Sequence, residues 1–311
     1  MNILITGGAG FIGSHLSEHL VAKGHKVTVV DSLLSGYKTN LCSIMEELDF
    51  YEEKIEHFDF KKLKKIDSVV HLASQVSVPV SVNEFGASSS QNLLGAIKII
   101  DFCRNSCTPL VFASSSAVYG DLEIGDDNNS SVNLLSPYAA DKYAMELYAK
   151  LAYQLYNLSS IGLRFYNVYG PRQDPTNSYS GVISIFSNRL LSGQDITING
   201  GFQTRDFIYV RDIITAIDKA ISITRDQIIC EQVNILTGKS VTINYIADYL
   251  IQATGSKSPK IFKELPEGDP KQSKGTIKKM EQLLGINSND MVKLESGLTE
   301  TIDFLKKNKI N

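Results

Sequence analysis

Little in this sequence points to a membrane, an oxidising compartment or a polyanion. No apolar run approaches the roughly 20 residues that a spanning helix needs. The apolar start at Ile3–Ile5 is too short for a signal peptide and has no basic stretch before it. Only four cysteines occur, Cys42, Cys103, Cys107 and Cys230, and none forms a C-x-x-C pair. They read as reduced, mostly structural thiols, which places the chain in the cytoplasm. Net charge is −3, so no general affinity for nucleic acid or an anionic membrane is expected. A local basic pocket for a phosphate ligand is compatible with that balance. Neither an internal repeat nor a low-complexity tract interrupts the chain.

What is present is an ordinary globular composition, 43% hydrophobic and 21% charged over 311 residues. That length suits one large α/β domain or two lobes. Strand and helix patterns alternate from the first residue. Asn2–Thr6, Lys26–Asp31, Asp67–Leu72, Pro109–Ser114 and Ser159–Tyr166 are short apolar runs of the kind buried in parallel sheets. Between them, Ile12–Lys23, Glu84–Asn105 and Pro137–Tyr156 have helical periodicity. Repeated β-α units of this kind predict a doubly wound parallel sheet. After about residue 167 loops lengthen, and helices are predicted near Val182–Leu191, Arg211–Ile223, Ile243–Thr254, Thr276–Leu284 and Leu294–Lys307. The expected organisation is a domain over 1–166 and a smaller α/β lobe, mainly over 167–311 and interleaved with the first.

The opening stretch, MNILITGGAGFIGSHLSEHL, offers two incompatible chemistries. Gly8, Gly10 and Gly13 fit the G-x-G-x-x-G dinucleotide fingerprint, while His15, Glu18 and His19 fit the H-x-x-E-H zinc motif. The context favours the first. A strand precedes the glycines, a helix follows, and the next strand ends on Asp31. Gly8 is expected to permit the tight turn, Gly10 to admit a pyrophosphate, and Gly13 to let helix and strand pack closely. The helix N-terminus then faces the phosphates. Asp31 would accept ribose hydroxyls and repel a 2′-phosphate, so NAD is favoured over NADP. The zinc reading has no obvious third ligand, and no metal is expected.

Downstream, Tyr138 and Lys142 lie four apart on a predicted helix, hence on one face. A free phenol has a pKa of about 10 and is a poor base at neutral pH. A neighbouring ammonium would stabilise the phenolate. The run VFASSSAVYG ends a predicted strand on Ser114, Ser115 and Ser116, whose hydroxyls would emerge at the sheet edge where ligands bind in such folds.

Taken together, TGGAGFIG, Asp31, His71–Ala73, SSSAVYG, Tyr138-x-x-x-Lys142 and RDFIYVRD (Arg205–Asp212) resemble the extended short-chain dehydrogenase/reductases that act on nucleotide sugars. The resemblance covers nearly the whole chain and implies a Rossmann-type fold. Within the family the chain looks most like the UDP-hexose 4-epimerases. RFYNVYGPRQDPTNSYSGVI looks closest to the branch handling UDP-N-acetylglucosamine and UDP-N-acetylgalactosamine.

By position, the resemblance makes Ser115 and Ser116 the substrate hydroxyls, Tyr138 the base and Lys142 its activator and a ribose contact. It places further NAD contacts at Gly7, Gly10, Phe11, Ile12, Gly13, Asp31, Ser32, Ser35, Gly36, Lys54, Ile55, Leu72 and Ala73. Substrate contacts fall at Asn167, Val182, Arg205, Asp269 and Ser273. Asn167 and Arg205 resemble the residues that hold the diphosphate. A homodimer through the two long helices is also implied.

Three departures bear on chemistry. Related dehydratases place Asp-Glu after the Ser/Thr, and decarboxylases keep a Glu nearby, whereas this chain has Ser116 and Ala117. The usual Arg-x-Gly-Asp reads Pro266-Glu267-Gly268-Asp269, a region more like the decarboxylases. Lys54 stands where an Asp usually meets adenine, which leaves a backbone contact through Lys54 and Ile55. The implied activity is NAD-dependent interconversion of UDP-N-acetylglucosamine and UDP-N-acetylgalactosamine, with UDP-glucose and UDP-galactose as further substrates. The alternatives are a UDP-glucuronate decarboxylase, a 4-ketoreductase or a NAD-binding regulator without turnover.

Overall fold

The computed structural model describes residues 1–177, 180–265 and 270–308. Two compact units share the chain, one formed by Met1–Val118, Ser136–Arg164 and Ile213–Val233, the other by Tyr119–Leu135, Phe165–Asp212 and Asn234–Asn311. In chain order the first elements are β1 (Asn2–Thr6), α1 (Phe11–Ala22), β2 (Lys26–Asp31), β3 (Leu48–Glu52), β4 (Ser68–His71), α2 (Val78–Asn83), α3 (Phe85–Ser106), β5 (Leu110–Ser115), α4 (Pro137–Tyr156) and β6 (Ser160–Phe165). There follow β7 (Asn167–Tyr169), α5 (Val182–Leu191), β8 (Ile196–Asn199), β9 (Thr204–Tyr209), α6 (Val210–Asp226), β10 (Cys230–Ile235), β11 (Ser240–Thr242), α7 (Ile243–Thr254), β12 (Lys260–Lys263), α8 (Lys278–Leu284) and α9 (Leu294–Asn308).

The first unit is built on a seven-stranded sheet in the order β10-β6-β5-β4-β1-β2-β3. β1 pairs in parallel with both β2 and β4, with Thr6 beside Val30 on one side and His71 on the other. Strand order therefore reverses between β1 and β4. In an open parallel sheet the crevice for a ligand opens at that switch, beyond the carboxyl ends of the strands. β6 is buried along its whole length, as a strand covered on both faces must be. On one face, Leu4, Val69, Leu110 and Phe112 of the sheet pack on Ala96, Ile99 and Cys103 of α3 and Met145, Ala149 and Ala152 of α4. Fixing α3 and α4 on the sheet in this way sets where the first turn of α4 comes to rest.

Two short elements of this unit escape the sequence pattern. β3 carries Asp49 and Glu52 and sits at the sheet edge, so it needs no apolar run. α2 reads VPVSVN, an alternating β-branched pattern, yet it is helical because the Ser77 side chain caps Val80 N–H at 3.2 Å and Pro79 sits in the first turn.

The second unit holds a three-stranded sheet, β11-β9-β7, and a parallel pair, β12-β8. β9 is parallel to β7 and antiparallel to β11. α5 packs on α7 and α9. Among the described residues no helix is long and apolar enough to cross a membrane.

Candidate active site

The glycine turn comes first. Gly7, not Gly8, supplies the left-handed residue, with φ +73°. A Cβ there would lie 2.7 Å from Ala73 N, so only glycine fits. Gly8 is needed for a different reason: its Cβ would meet the Val29 side chain at 2.7 Å. A Cβ on Gly13 would lie 2.7 Å from Gly8 Cα, which is the close approach of α1 to the turn. Gly10 caps α1 without a side chain, leaving the first-turn N–H groups of Phe11, Ile12 and Gly13 to face an outside acceptor.

Asp31 ends β2 and is buried. Its Oδ2 accepts Ala9 N–H at 2.9 Å and its Oδ1 accepts Leu33 N–H at 2.8 Å. Each oxygen keeps a lone pair for a ribose hydroxyl. The loop after Asp31 carries Ser32, Ser35 and Gly36, and Gly36 lies so close to Ala9 that a Cβ would sit 2.9 Å from its carbonyl carbon. The Ala9 carbonyl also accepts Tyr37 N–H at 3.1 Å and Asn40 Nδ2 at 3.0 Å. Asn40 was not picked out by any sequence motif. Leu72 N–H donates to the Thr6 carbonyl at 3.0 Å and Ala73 N–H to Thr6 Oγ1 at 3.3 Å. Ile55 is a core side chain, and the Lys54 carbonyl already accepts His57 N–H at 3.0 Å and Phe58 N–H at 3.1 Å. A backbone contact to adenine there falls to N–H groups. Glycine shape, open helix terminus and the Asp31 carboxylate together fit a dinucleotide.

The histidines of the opening stretch are otherwise engaged. His19 Nε2 is 3.5 Å from Asp218, which also takes Lys23 Nζ at 2.8 Å, and His15 meets the Phe11 ring edge-on at 6.2 Å.

The reactive side chains stand where α4 meets the end of β5. Ser136 caps α4 by accepting Ala139 N–H at 3.2 Å, and Pro137 presets its first turn. The Tyr138 N–H is held by Ser81 Oγ of α2 at 3.2 Å. The three serines separate into different roles. Ser114 donates to Glu146 Oε1 at 2.5 Å. Ser115 accepts Ala117 N–H at 3.1 Å, and its hydroxyl acts to lower the Tyr138 phenol. Ser116 is the first residue of a 3₁₀ turn.

Lys142 is buried, donates to the Ala113 carbonyl at 3.0 Å and stands 5.6 Å from the Tyr138 ring centroid. Burial pulls its ammonium down to about 8. Burial pushes the Tyr138 phenol up, and the Ser115 hydroxyl draws it back. In the protein alone, then, desolvation dominates. His71 is buried nearby in the same unit, its imidazole driven down to about 3 by burial and by the Lys142 charge.

In the second unit, Asn167, Val182 and Arg205 line one cavity of about 410 Å³. Val182 opens α5, which Gly181 caps without a side chain, so backbone N–H groups face the cavity. Asn167 Nδ2 donates to the Asp206 carbonyl at 3.1 Å, and Arg205 Nη1 donates to the Pro270 carbonyl at 2.8 Å. The Asp206 side chain is not a surface partner of Arg205: it is buried and accepts Thr237 N–H at 2.9 Å. Sequence patterns missed Gln173, Gln203 and Phe207, which also line the cavity. Ser273 does not line it. Its N–H donates to the Thr204 carbonyl at 3.1 Å and its carbonyl accepts Ser240 Oγ at 2.8 Å. Asp269, with Pro266, lies outside the described residues.

The profile of the NAD dependent epimerase/dehydratase family matches residues 3–235. A putative UDP-glucose 4-epimerase of Methanocaldococcus jannaschii is 36% identical, over 98% of this chain and 99% of that protein. The UDP-N-acetylglucosamine 4-epimerase of Methanobrevibacter ruminantium, solved with UDP-N-acetylmuramic acid, is 35% identical with a TM-score of 0.92, covering 99% of this chain and 98% of that one. The UDP-glucuronic acid 4-epimerase of Bacillus cereus, solved with UDP-glucuronic acid and NAD, is 29% identical with a TM-score of 0.90, covering 99% of this chain and 100% of that one. NAD is accordingly the cofactor, and the chain belongs to the NAD dependent epimerase/dehydratase family.

Proposed function

We propose that this protein is a UDP-hexose 4-epimerase that interconverts UDP-N-acetylglucosamine and UDP-N-acetylgalactosamine, and accepts UDP-glucose and UDP-galactose as well. The observation that carries the reading is the buried Lys142 standing 5.6 Å from the Tyr138 ring centroid and tied to the Ala113 carbonyl of the strand that ends in Ser115, in the unit that carries the glycine turn. Gly7, Gly10, Phe11, Ile12 and Gly13 receive the pyrophosphate, and Asp31 the adenosine ribose. Bound NAD supplies reversible oxidation at carbon 4 of the sugar.

Tyr138 takes the proton of the sugar 4-hydroxyl onto its phenolate oxygen and returns it at the end of the cycle. Lys142 compensates that negative charge, and the Ser115 hydroxyl stabilises it by donating a hydrogen bond. Ser116 offers a second hydroxyl to the sugar. Asn167, Arg205 and the N-terminus of α5 hold the diphosphate, while the 4-keto sugar turns about its link to that diphosphate. Neither Ser116 nor Ala117 supplies the acid that elimination chemistry needs.

The residues over 1–166 carry cofactor and proton chemistry, and those over 167–311 mainly the substrate. The active form is a homodimer in the cytoplasm. Leu94 and Ile97 of α3 and Tyr148, Leu151 and Leu155 of α4 are exposed apolar side chains on helices that pack together. A second copy of the same pair would cover them. The test is incubation with a panel of UDP- and dTDP-sugars, UDP-glucuronic acid included, with products identified by NMR. Production of the 4-epimer from an N-acetylated substrate is expected. Decarboxylation, net reduction or no turnover by the NAD-loaded protein would overturn the reading.

A further inference from the structure

α4 is fastened to β5 by Lys142 and Glu146, one helical turn apart, with Tyr138 one turn before them. Lys142 Nζ stands 5.6 Å from the Tyr138 ring centroid, and Ser115 ends the strand that α4 packs on. Lys142 Nζ donates to the Ala113 carbonyl at 3.0 Å. Glu146 Oε1 accepts the Ser114 hydroxyl at 2.5 Å. Two consecutive residues of the strand, Ala113 and Ser114, thus hold two consecutive turns of the helix. The lowest rung has an anchor of its own. Arg164 of β6 donates Nε to Glu146 Oε1 at 2.8 Å and Nη2 to Oε2 at 2.6 Å, a two-pronged grip. The two side chains are only 5% and 4% exposed.

We propose that Glu146, clamped by Arg164 and Ser114, is a positioning residue that sets the rotation and height of α4 on β5 and thereby places the Tyr138 hydroxyl at the end of β5. The proposal rests on the reading of Tyr138 as the base.

Stability alone does not account for such a pair. Desolvating two charges costs about as much as their attraction returns, and apolar residues of the same volume often serve as well. What an apolar pair cannot supply is direction. Two parallel N–H···O bonds admit one orientation of the carboxylate, and the remaining contact fixes that carboxylate to the residue next to Ser115. The Tyr138 hydroxyl sits two turns further up the same face, so a rotation allowed at Glu146 is carried to it. Misplacement of a reacting group by about 1 Å can lower a rate by ~10²-fold.

The test uses Ser114→Ala, which removes one hydrogen bond and keeps the ion pair. Glu146→Gln would strand the Arg164 charge and can simply fail to fold. The double substitution Glu146→Met, Arg164→Met removes both charges at similar volume. Two quantities are measured. The first is the titration of the Tyr138 Cζ resonance in ¹³C-tyrosine-labelled protein without cofactor, assigned by its loss in Tyr138→Phe. The second is the split between kcat and KM with NAD-loaded protein. The Tyr138 resonance is expected to move and its titration to shift upward in both variants. kcat should fall about tenfold with KM and NAD retention unchanged, as for an effect confined to the transition state. An unmoved resonance with kcat within about twofold of the unmodified protein would overturn the proposal, and so would a rise in KM at constant kcat. If the double variant does not fold, Ser114→Ala decides by the same criteria. Should Tyr138→Phe stay active, the base assignment itself fails, whatever the resonance does in Ser114→Ala.

Discussion

Asp31 accepts the backbone N–H of Ala9 at 2.9 Å, so the carboxylate expected to select the cofactor also braces the glycine turn. Both functions are lost in Asp31→Ala. A hydrogen bond to a charged group contributes roughly 1.5–3 kcal/mol, so NAD affinity should fall ~10–100-fold. NADP affinity should fall less, because repulsion of its 2′-phosphate is removed at the same time. Titration calorimetry with both cofactors measures the two changes. Equal binding of NADP and NAD by the unmodified protein would show that Asp31 does not select.

Tyr138→Phe removes the hydroxyl and almost no volume. The ring still packs, so NAD should bind as before. Turnover should fall by about 10²–10⁴-fold, the usual contribution of a general base. Since burial raises the phenol, the activity of the unmodified protein should also climb on the alkaline side of neutrality. Stopped assays across pH with both proteins check this, and a variant within about twofold of full activity takes Tyr138 out of the mechanism.

His71 gives the fold an acid limit. Thr6 Oγ1 and His71 Nδ1 share a hydrogen bond at 2.6 Å, and burial with the Lys142 charge keeps the ring neutral. The folded pKa lies at about 3, below the value of roughly 6.5 in an unfolded chain. Below pH ~6.5 the unfolded chain binds a proton that the folded one refuses. Stability is therefore complete above that value and falls by up to about 1.4 kcal/mol per pH unit beneath it. Asp212 works the other way, because burial raises its carboxyl to about 6 and protonation of the folded state is favoured there. The measure is thus the difference between unmodified protein and His71→Asn in urea unfolding at two pH values, one on each side of 6.5. The variant should lose less on acidification. Equal losses would clear His71 of the effect.

How far the sequence carried is visible element by element. Pro137–Tyr156, Val182–Leu191 and Ile243–Thr254 have the bounds that their periodicity predicts. Each has a long amphipathic pattern and a clear start. The strands missed in the second unit are short, and β12 exposes Ile261 and Phe262, so it offers neither a buried run nor alternation. In the site, residue type and spacing pointed to Tyr138, Lys142 and the serines. Spacing could not sort the serines, because that depends on which hydroxyl meets α4 and which meets Ala117. Glu146 and Arg164 were invisible for a further reason. Each alone is an ordinary charged residue, and only the packing of α4 on the sheet makes them partners.

The α3–α4 face carries a prediction of assembly. Leu151 and Leu155 are 47% and 62% exposed on the same side of α4, which is unfavourable for a solvated helix. Leu151→Glu with Leu155→Glu should convert a dimer to a monomer in sedimentation velocity without loss of the fold. A monomeric unmodified protein at micromolar concentration would sink the proposal.

Substrate size is tested at Ser273. In the resembled epimerases the position four residues after the Gly-Asp pair gates the sugar pocket: a tyrosine restricts the enzyme to plain hexoses, and a small residue admits the 2-acetamido group. Ser273 is half-buried, and its backbone is tied on both sides, to Thr204 and to Ser240. Thr204 precedes Arg205, which lines the cavity of the second unit although Ser273 itself does not. A segment held at its backbone can accept a larger side chain without shifting, so Ser273→Tyr should fold normally. If the position is a gate, the phenol ring penalises only the bulkier substrate. kcat/KM for UDP-N-acetylglucosamine should then fall by about 10–200-fold, the range that one misfitting group commands, while activity on UDP-glucose is spared. Should both substrates respond alike, or neither respond, Ser273 is a loop residue without contact to the sugar. The preference for N-acetylated substrates would then have to reside in other residues.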